Sequence, residues 1–331
     1  MKKTVAFTRN AANVFFHILT DCNLRCKHCY INPKEHGRKT LSREAIETWL
    51  ELFAAKNKKS NVIFLGGEPT LHPDLPSAVK KAKTLGYTSI TIDTNGYLFN
   101  DILTKVEPVE VDYFSFSLDG ATRRMNDMIR GAGSYQKCLS GIRAAVARGF
   151  SVSLIFTASR ANIDELEMMG PLLQNLGVDR FFIQVIGLRG KSAGRSDETA
   201  QVSHLKWIDV VPAVAERVAQ TGITVTYPKV FLNSCETFEC AGRTAENYFI
   251  FPNGRVYRCP LCEDFPIHSL ELAENRLKET GKINERDLFA LDIPEGCVMN
   301  KLIQPDNIRY RADGTPERRI ACCMLKEEIR I

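Results

Sequence analysis

Three cysteines lie close together near the start of the chain and could bind a metal cluster. Cys22, Cys26 and Cys29 are spaced C-x3-C-x2-C in a loop, DCNLRCKHCY, that contains neither glycine nor proline. One short loop of this kind can supply thiolates to three irons of a four-iron cluster. Four cysteines are usual for such clusters, so the fourth iron would be open to another ligand. A zinc loop or a set of buried cysteines is the alternative reading.

The same loop resembles the signature of the radical S-adenosylmethionine (SAM) superfamily, in which an aromatic residue, here Tyr30, follows the third cysteine. The resemblance implies that the three thiolates hold an oxygen-sensitive [4Fe-4S] cluster whose open iron binds SAM. One electron from the cluster, supplied by a donor such as flavodoxin or ferredoxin, would cleave SAM to methionine and a 5′-deoxyadenosyl radical. That radical would abstract hydrogen from the substrate, with the cofactor carrying the chemistry and the protein placing it.

A second motif, Gly66-Gly67-Glu68 followed by proline, ends the next predicted strand. It resembles the family's GGEP segment, which accepts hydrogen bonds from the amino group of SAM. Glycines let the backbone approach a ligand closely, and a carboxylate can pair with a cation. Taken alone, the tetrapeptide could be only a tight turn.

Later strand ends carry residues that match further SAM contacts of the family. By resemblance these contacts are Asn95, Ser117, Arg130 and Ile186. Ser117 would contact the ribose or the methionine end, and Arg130 would pair with the SAM carboxylate, a task that suits a guanidinium. Ile186, in the segment QVIG, falls where related enzymes cradle the adenine with backbone groups. The alternative is that these residues have no ligand and only form a turn, cap a helix, carry a surface charge or end a buried strand.

A second group of cysteines lies in the last third of the chain. Cys240, Gly254 and Cys259 form a C-x13-G-x4-C arrangement that resembles the opening of SPASM and twitch domains, which bind auxiliary clusters. The predicted local ligand set is Cys235, Cys240, Cys259 and Cys262. The competing ligands are Cys297, Cys322 and Cys323. The full SPASM pattern is absent, so we expect one auxiliary Fe-S cluster; a zinc site on the same thiols is the alternative.

These motifs need a scaffold that brings successive strand ends together. Short apolar segments predict strands at 13–19, 61–65, 88–93, 112–118, 151–157 and 180–186. Helices are predicted at 42–55, 74–85, 134–148 and 162–176, and each begins near a residue suited to cap it. Such alternation predicts a parallel sheet with helices outside. The predicted fold class is α/β, a partial (β/α)6 TIM-type barrel with its chemistry at the carboxyl ends of the strands.

The chain divides on this reading into three parts. Residues 12–187 form the radical SAM partial barrel, residues 188–220 a linker and helix, and residues 221–331 a SPASM/twitch-like, irregular cysteine-rich Fe-S domain. The turns and cysteines concentrated after residue 221 support the last division.

Composition narrows the functional classes. The net charge of +5 is spread along the chain without a long basic run, which does not favour nucleic-acid binding. No apolar run approaches membrane-spanning length and no signal peptide is recognised, so we expect a cytoplasmic protein without membrane contact. Eleven cysteines in a reducing compartment favour metal binding over disulfides.

The predicted activity is that of a radical SAM oxidoreductase that achieves net oxidation of a small molecule. Modification of a ribosomal peptide or a protein side chain is the second hypothesis. A non-catalytic Fe-S or zinc protein is the hypothesis from another class, and Glu68 with the ordered strand-end motifs speaks against it, since an electron carrier needs no SAM pocket. No residue of the sequence identifies a catalytic acid or base.

Overall fold

The computed structural model describes residues 1–5, 7, 11–56, 59–194, 200–233 and 236–331. Its strands are β1 (Lys2–Val5), β2 (Ala12–His17), β3 (Ser60–Leu65), β4 (Ser89–Thr94), β5 (Tyr113–Ser117), β6 (Val152–Ala158), β7 (Arg180–Val185), β8 (Thr224–Pro228), β9 (Phe231–Leu232), β10 (Glu246–Ile250), β11 (Arg255–Tyr257), β12 (Leu270–Ala273), β13 (Arg276–Glu279), β14 (Arg319–Ile320) and β15 (Lys326–Ile329).

Helices connect most of these strands. They are α1 (Pro33–His36), α2 (Arg43–Ala54), α3 (Leu75–Thr84), α4 (Ile102–Lys105), α5 (Arg123–Arg130), α6 (Ser134–Ala147), α7 (Leu166–Leu176), α8 (His204–Ala219), α9 (Ala241–Thr244), α10 (Glu285–Phe289) and α11 (Val298–Ile303). Among the described residues, no helix is long and apolar enough to span a membrane.

The strands β2 to β7 pair in parallel in chain order, with a helical crossover between each pair. All six predicted strands are found, with ends shifted by no more than two residues, and the partial (β/α)6 barrel is confirmed. Helix α5, after β5, was not predicted from the sequence. It is short and strongly polar, so it lacks the apolar periodicity on which the prediction of helices rests.

Local sequence explains where the barrel helices begin. Helix α2 is capped by Ser42, whose hydroxyl accepts a hydrogen bond from the amide of Ala45 at 3.2 Å. Its buried side chains, Ile46, Leu50 and Phe53, recur at helical spacing and pack on the sheet. The crossover helices therefore cover one face of the sheet and leave the strand ends to the loops.

The parallel sheet extends beyond the six predicted units. Strand β8 joins the edge of β7 and β10 joins the edge of β2, both in parallel. Antiparallel strands follow on each side: β15 and then β1 beyond β8, and β11 to β13 beyond β10. Strands from the region after residue 221 thus lie in the same sheet as the barrel, because α8 provides the crossover that a parallel β8 requires. The three-part domain division stays a prediction.

A smaller core lies beside the barrel, in the C-terminal region. It includes Phe251, Tyr257 and Phe289, together with several cysteines. The hairpin between β10 and β11 turns at Gly254, whose φ of +91° favours glycine, as the sequence motif predicts. The described cysteines of this region are therefore held on a folded, apolar scaffold.

Candidate active site

One cavity opens at the carboxyl edge of the barrel strands. Its volume is about 330 Å³, and it is lined by residues from the cysteine loop, the strand ends and the C-terminal region. It brings together every residue predicted for the first cluster and for SAM: Cys22, Cys26, Cys29, Gly66, Gly67, Glu68, Asn95, Ser117, Arg130 and Ile186. Residues separated by up to 164 positions thus share one site, since parallel strands end at a common edge.

The cysteine loop is anchored by backbone contacts to the barrel. The amide of Lys27 donates to the carbonyl of Ile129 at 2.9 Å, and the amide of Glu68 donates to the carbonyl of Asp21 at 2.9 Å. Within the loop, the amide of Leu24 donates to Cys22 Sγ at 3.3 Å. Burial raises the pKa of the Cys22 thiol to about 11 and also raises the pKa of Cys26. Binding of a metal centre by these thiolates therefore has to work against this burial.

The two glycines of the second motif are required by a close backbone approach. A Cβ on Gly66 would lie 2.7 Å from the Leu19 carbonyl oxygen, and one on Gly67 would lie 2.3 Å from that of Asp21. The amide of Gly67 donates to Leu19 at 3.1 Å, so the end of β3 docks against the start of the cysteine loop. The close partner in the structure is the chain's own backbone, whereas the sequence suggested a ligand.

Glu68 is almost fully buried and its carboxylate is already engaged. Oε1 accepts hydrogen bonds from the amide and hydroxyl of Thr70 and from the hydroxyl of Thr94, and Oε2 accepts one from the amide of Asn95 at 2.7 Å. Burial raises the pKa of this carboxyl, and these hydrogen bonds oppose the rise. Glu68 thus ties the end of β3 to the end of β4, and only Oε2 retains capacity for a further donor.

Asn95 connects the end of β4 to the cysteine loop. Its Nδ2 donates to Asn23 Oδ1 at 2.7 Å and lies 3.8 Å from Cys22 Sγ. Its Oδ1 accepts a hydrogen bond from the amide of Tyr97. Asn95 therefore orients the loop that carries the first cysteine.

Arg130 forms a buried ion pair that the sequence did not reveal. Its Nε lies 2.5 Å from Asp119 Oδ2, and His28 Nε2 lies 2.6 Å from the same oxygen. Burial by itself raises the pKa of Asp119, but the charges of Arg130 and His28 outweigh it and hold the pKa well below its usual range. His28 thus links the cysteine loop to the residue pair that follows the end of β5. The sequence offered one indication that Asp119 belongs to the site, because this residue directly follows the predicted strand 112–118.

The two Nη groups of Arg130 are free for a ligand. Within the described part of the chain, no acceptor is hydrogen-bonded to them, and Arg130 lines the cavity. Ser117 lines the same cavity, and its carbonyl accepts the Cys138 thiol at 3.6 Å. The amide of Ile186 donates to Ala158, so only its carbonyl remains for an adenine. The three thiols fit an iron-sulfur cluster, which they could ligate. The free edge of the Arg130 guanidinium fits the carboxylate of SAM bound beside it.

A second, smaller cavity in the C-terminal region is lined by thiols. It is surrounded by Cys240, Cys259, Cys297, Cys322 and Cys323. Of the predicted set, Cys240 and Cys259 meet here, Cys262 lies buried beside Cys259, and Cys235 falls outside the described residues. The cysteines named as competitors thus lie with Cys240 and Cys259. In the described ranges, no three His, Cys, Asp or Glu side chains are grouped closely enough for a single metal ion.

The backbone around Cys259 is fixed by one buried carboxylate. Glu285 accepts hydrogen bonds from the amides of Arg258 and Cys259, at 2.7 and 3.1 Å, and from the hydroxyl of Ser269 at 2.7 Å. Hydrogen bonds from Cys262 and Cys323 lower the pKa of Cys259. Five cysteines on one cavity are a ligand supply that fits an Fe-S cluster, and equally the zinc alternative.

The loop after β7 joins the two cavities. Arg189 Nη1 donates to the Pro260 carbonyl at 2.6 Å and to Glu263 at 2.9 Å, and its guanidinium lies over the ring of Tyr30. Arg189 is therefore not a solvated loop charge, because the C-terminal segment packs on this loop and supplies its partners.

Two further titratable residues line the main cavity and were not singled out from the sequence. Asp93, on β4, interacts with Ser115, and burial raises its pKa to about 7. Lys326 opens β15 and lies above the ring of Phe182 at 4.3 Å. A carboxylate inside an apolar strand, SITIDT, is the signal that could have identified Asp93.

The fold and the site together define an iron-sulfur enzyme built on a partial barrel. Residues 17–170 match the family model described as the radical SAM superfamily. The matched part of the chain, from the end of β2 into α7, is therefore a radical SAM domain. The cofactors of that family are a [4Fe-4S] cluster and SAM.

Relatives and solved structures agree with this assignment. A probable GTP 3′,8-cyclase of Saccharolobus islandicus is 28% identical over 273 residues, covering 79% of this chain and 86% of the relative. Streptococcus suis SuiB bound to precursor peptide SuiA has a TM-score of 0.63 at 14% identity, over 86% of this chain and 66% of SuiB. Native anSMEcpe with bound AdoMet has a TM-score of 0.65 at 12% identity, over 89% and 88%. At such identities the last two show the fold.

Proposed function

We propose that the protein is a radical SAM oxidoreductase that abstracts hydrogen from a small molecule held in the main cavity. The observation that carries the proposal is the convergence of all three loop cysteines and the free edge of Arg130 on one cavity. Bound there, the cluster and SAM would supply a 5′-deoxyadenosyl radical for hydrogen abstraction. An electron donor such as flavodoxin or ferredoxin belongs to the same proposal.

Each residue then has a role that its geometry supports. Cys22, Cys26 and Cys29 hold the cluster, and Arg130 pairs with the SAM carboxylate through its Nη groups. Glu68 and Asn95 act mainly by positioning the cysteine loop, since their hydrogen bonds are to protein groups. Oε2 of Glu68 retains room to accept the SAM amino group.

The remaining predicted contacts complete the proposed SAM site. Gly66 and Gly67 permit the close packing described above. Ser117 and Ile186 line the cavity, and we assign Ser117 to the ribose or methionine end of SAM and the Ile186 backbone to the adenine. Residues of the C-terminal region, among them Leu261 and Met324, line the same cavity and would shield the reaction from water.

The oxidative direction rests on the neighbouring thiol cavity. Cys323 and Met324 line both cavities, so an electron acceptor held by the second thiol set would be adjacent to the substrate. We assign the auxiliary site to the described thiols Cys240, Cys259, Cys297, Cys322 and Cys323, of which four suffice for one cluster. Cys262 and Cys235 remain ligands proposed from the sequence, and Cys235 falls outside the described residues.

Sequence similarity supports a small molecule over a peptide. The relative with 28% identity is named for a reaction of GTP, a small molecule, whereas SuiB, solved with a precursor peptide, is 14% identical. Peptide modification is the second candidate, and the fold shared with SuiB over 86% of this chain supports it.

The test measures SAM cleavage by anaerobically reconstituted protein with dithionite. We expect 5′-deoxyadenosine and methionine, and we expect the Cys22→Ala/Cys26→Ala/Cys29→Ala variant to form neither. Cys138→Ala is the matched control, because Cys138 is a buried cysteine of the barrel core that does not line the cavity. Undiminished cleavage by the triple variant would refute the assignment. Regeneration of SAM with no change in the redox level of the substrate would refute the oxidative reading.

A further inference from the structure

A lysine from the last strand reaches the cavity at the same edge as the strand-end motifs. Lys326 is the first residue of β15 and pairs with Pro228, the last residue of β8. Because β8 is parallel to the barrel strands, this register places Lys326 at their carboxyl ends. Its ammonium group lies 4.3 Å above the centre of the Phe182 ring.

This ammonium has no ionic partner in the chain as described. Among the residues that the structure describes, no carboxylate lies within 4.0 Å of Lys326 Nζ and none accepts a hydrogen bond from it. The other cationic side chains of the cavity are paired, Arg130 with Asp119 and Arg189 with Glu263. Burial lowers the pKa of Lys326, which is the expected response of a charge that lacks compensation.

The nearest candidate counter-charges do not replace a ligand. Cys323 and Asp93 attract the ammonium and Arg180 repels it, but none of the three forms a close contact with it. Arg180 is itself paired with Glu328 at 3.3 Å. Asp93 is engaged with Ser115. A cation over an aromatic ring, open to a cavity and otherwise unpaired, is an arrangement suited to an incoming anion.

We infer that Lys326 is a specificity-determining residue that binds an anionic group of the substrate, either a carboxylate or a phosphate. The inference rests on the proposed function, because it assigns the substrate to the cavity that holds the cysteine loop. A substrate anchored at Lys326 has one end fixed beside β8 and β15. Its remaining length then extends toward the SAM contacts across the cavity, and a neutral compound of the same shape would lack the anchor.

The experiment measures the reactivity of Lys326 directly and needs no SAM cleavage. Anaerobically reconstituted protein is treated with acetic anhydride, and the acetylation of each lysine is followed by peptide mass spectrometry. The treatment is repeated with inorganic phosphate and with glutarate, which separate the two anion classes. Lys83, exposed on helix α3, is the internal control. We expect one of the anions to slow the acetylation of Lys326 at least about threefold, and Lys83 to be unaffected.

Two variants give an independent reading. The same anion should raise the unfolding temperature of the wild-type protein and of Lys326→Arg, which keeps the positive charge, but not that of Lys326→Met, which keeps only the chain length. Equal acetylation of Lys326 with and without both anions would overturn the inference, even if one variant failed to fold. That outcome would leave SAM cleavage untouched, whereas absence of cleavage with normal anion protection would refute the proposed function instead.

Discussion

The ion pair between Arg130 and Asp119 should contribute strongly to stability because both partners are buried. Their side chains are 9% and 0% exposed, and Nε and Oδ2 are 2.5 Å apart. Asp119→Asn removes the negative charge but keeps an oxygen that can accept the hydrogen bond from the amide of Thr157. The guanidinium would then be buried without compensation, a change that costs about 3 kcal/mol or more.

The matched control is a surface pair of the same geometry. Arg43 and Glu47 are 2.6 Å apart, but their side chains are 60% and 28% exposed. Glu47→Gln should therefore change the free energy of unfolding far less than Asp119→Asn does. Urea unfolding of metal-free protein, followed by circular dichroism, measures both changes. If Asp119→Asn cost no more than Glu47→Gln, burial would not be what makes this pair important.

The same pair predicts a pH dependence with a definite sign. The folded-state pKa of Asp119 is held below its unfolded value, so its contribution is present above the unfolded pKa of about 3.9 and is lost as pH falls through the folded pKa. The stability difference between wild type and Asp119→Asn should be constant near neutral pH and narrow in acid. A difference that widened on acidification would contradict the assignment of charge.

Two further predictions concern the cysteine sites. Gly67→Ala should prevent iron binding at the loop cysteines, because the new Cβ would meet the Asp21 carbonyl at 2.3 Å, whereas Gly281→Ala has open space and should be neutral; normal iron content in Gly67→Ala would refute the packing argument. The Cys22→Ala/Cys26→Ala/Cys29→Ala variant should retain an Fe-S cluster in the C-terminal cavity, measured by iron content and low-temperature electron paramagnetic resonance. Finding only zinc there after anaerobic reconstitution would make that site structural.

Local sequence patterns were sufficient for much of the barrel and for the residues of its cavity. Strand and helix periods depend on neighbouring residues, so the six barrel strands and four of the helices that connect them were predictable. The strand-end motifs could be placed together without knowing their contacts, because parallel strands share a carboxyl edge. The cysteine spacing C-x3-C-x2-C lies within one loop, so it could be interpreted without knowing the rest of the fold.

Other features depend on contacts between distant segments, and only the tertiary structure decides them. Packing of the loops at the strand ends pairs Arg130 with Asp119. The same packing makes Glu68 hold β4, whereas the sequence suggested a SAM contact. Strands β8 and β10 extend the sheet because their edges meet β7 and β2 in space.

The cysteines show most clearly which features local sequence predicts and which depend on tertiary packing. Sequence alone predicts that Cys22, Cys26 and Cys29 act together, since they lie within eight residues of chain whatever the rest of the fold does. It could not select among the later cysteines, because Cys240 and Cys322 are joined by a chain long enough to take many paths. Tertiary packing brings those two thiols to one cavity, and it also carries Lys326, four positions after Cys322, into the other.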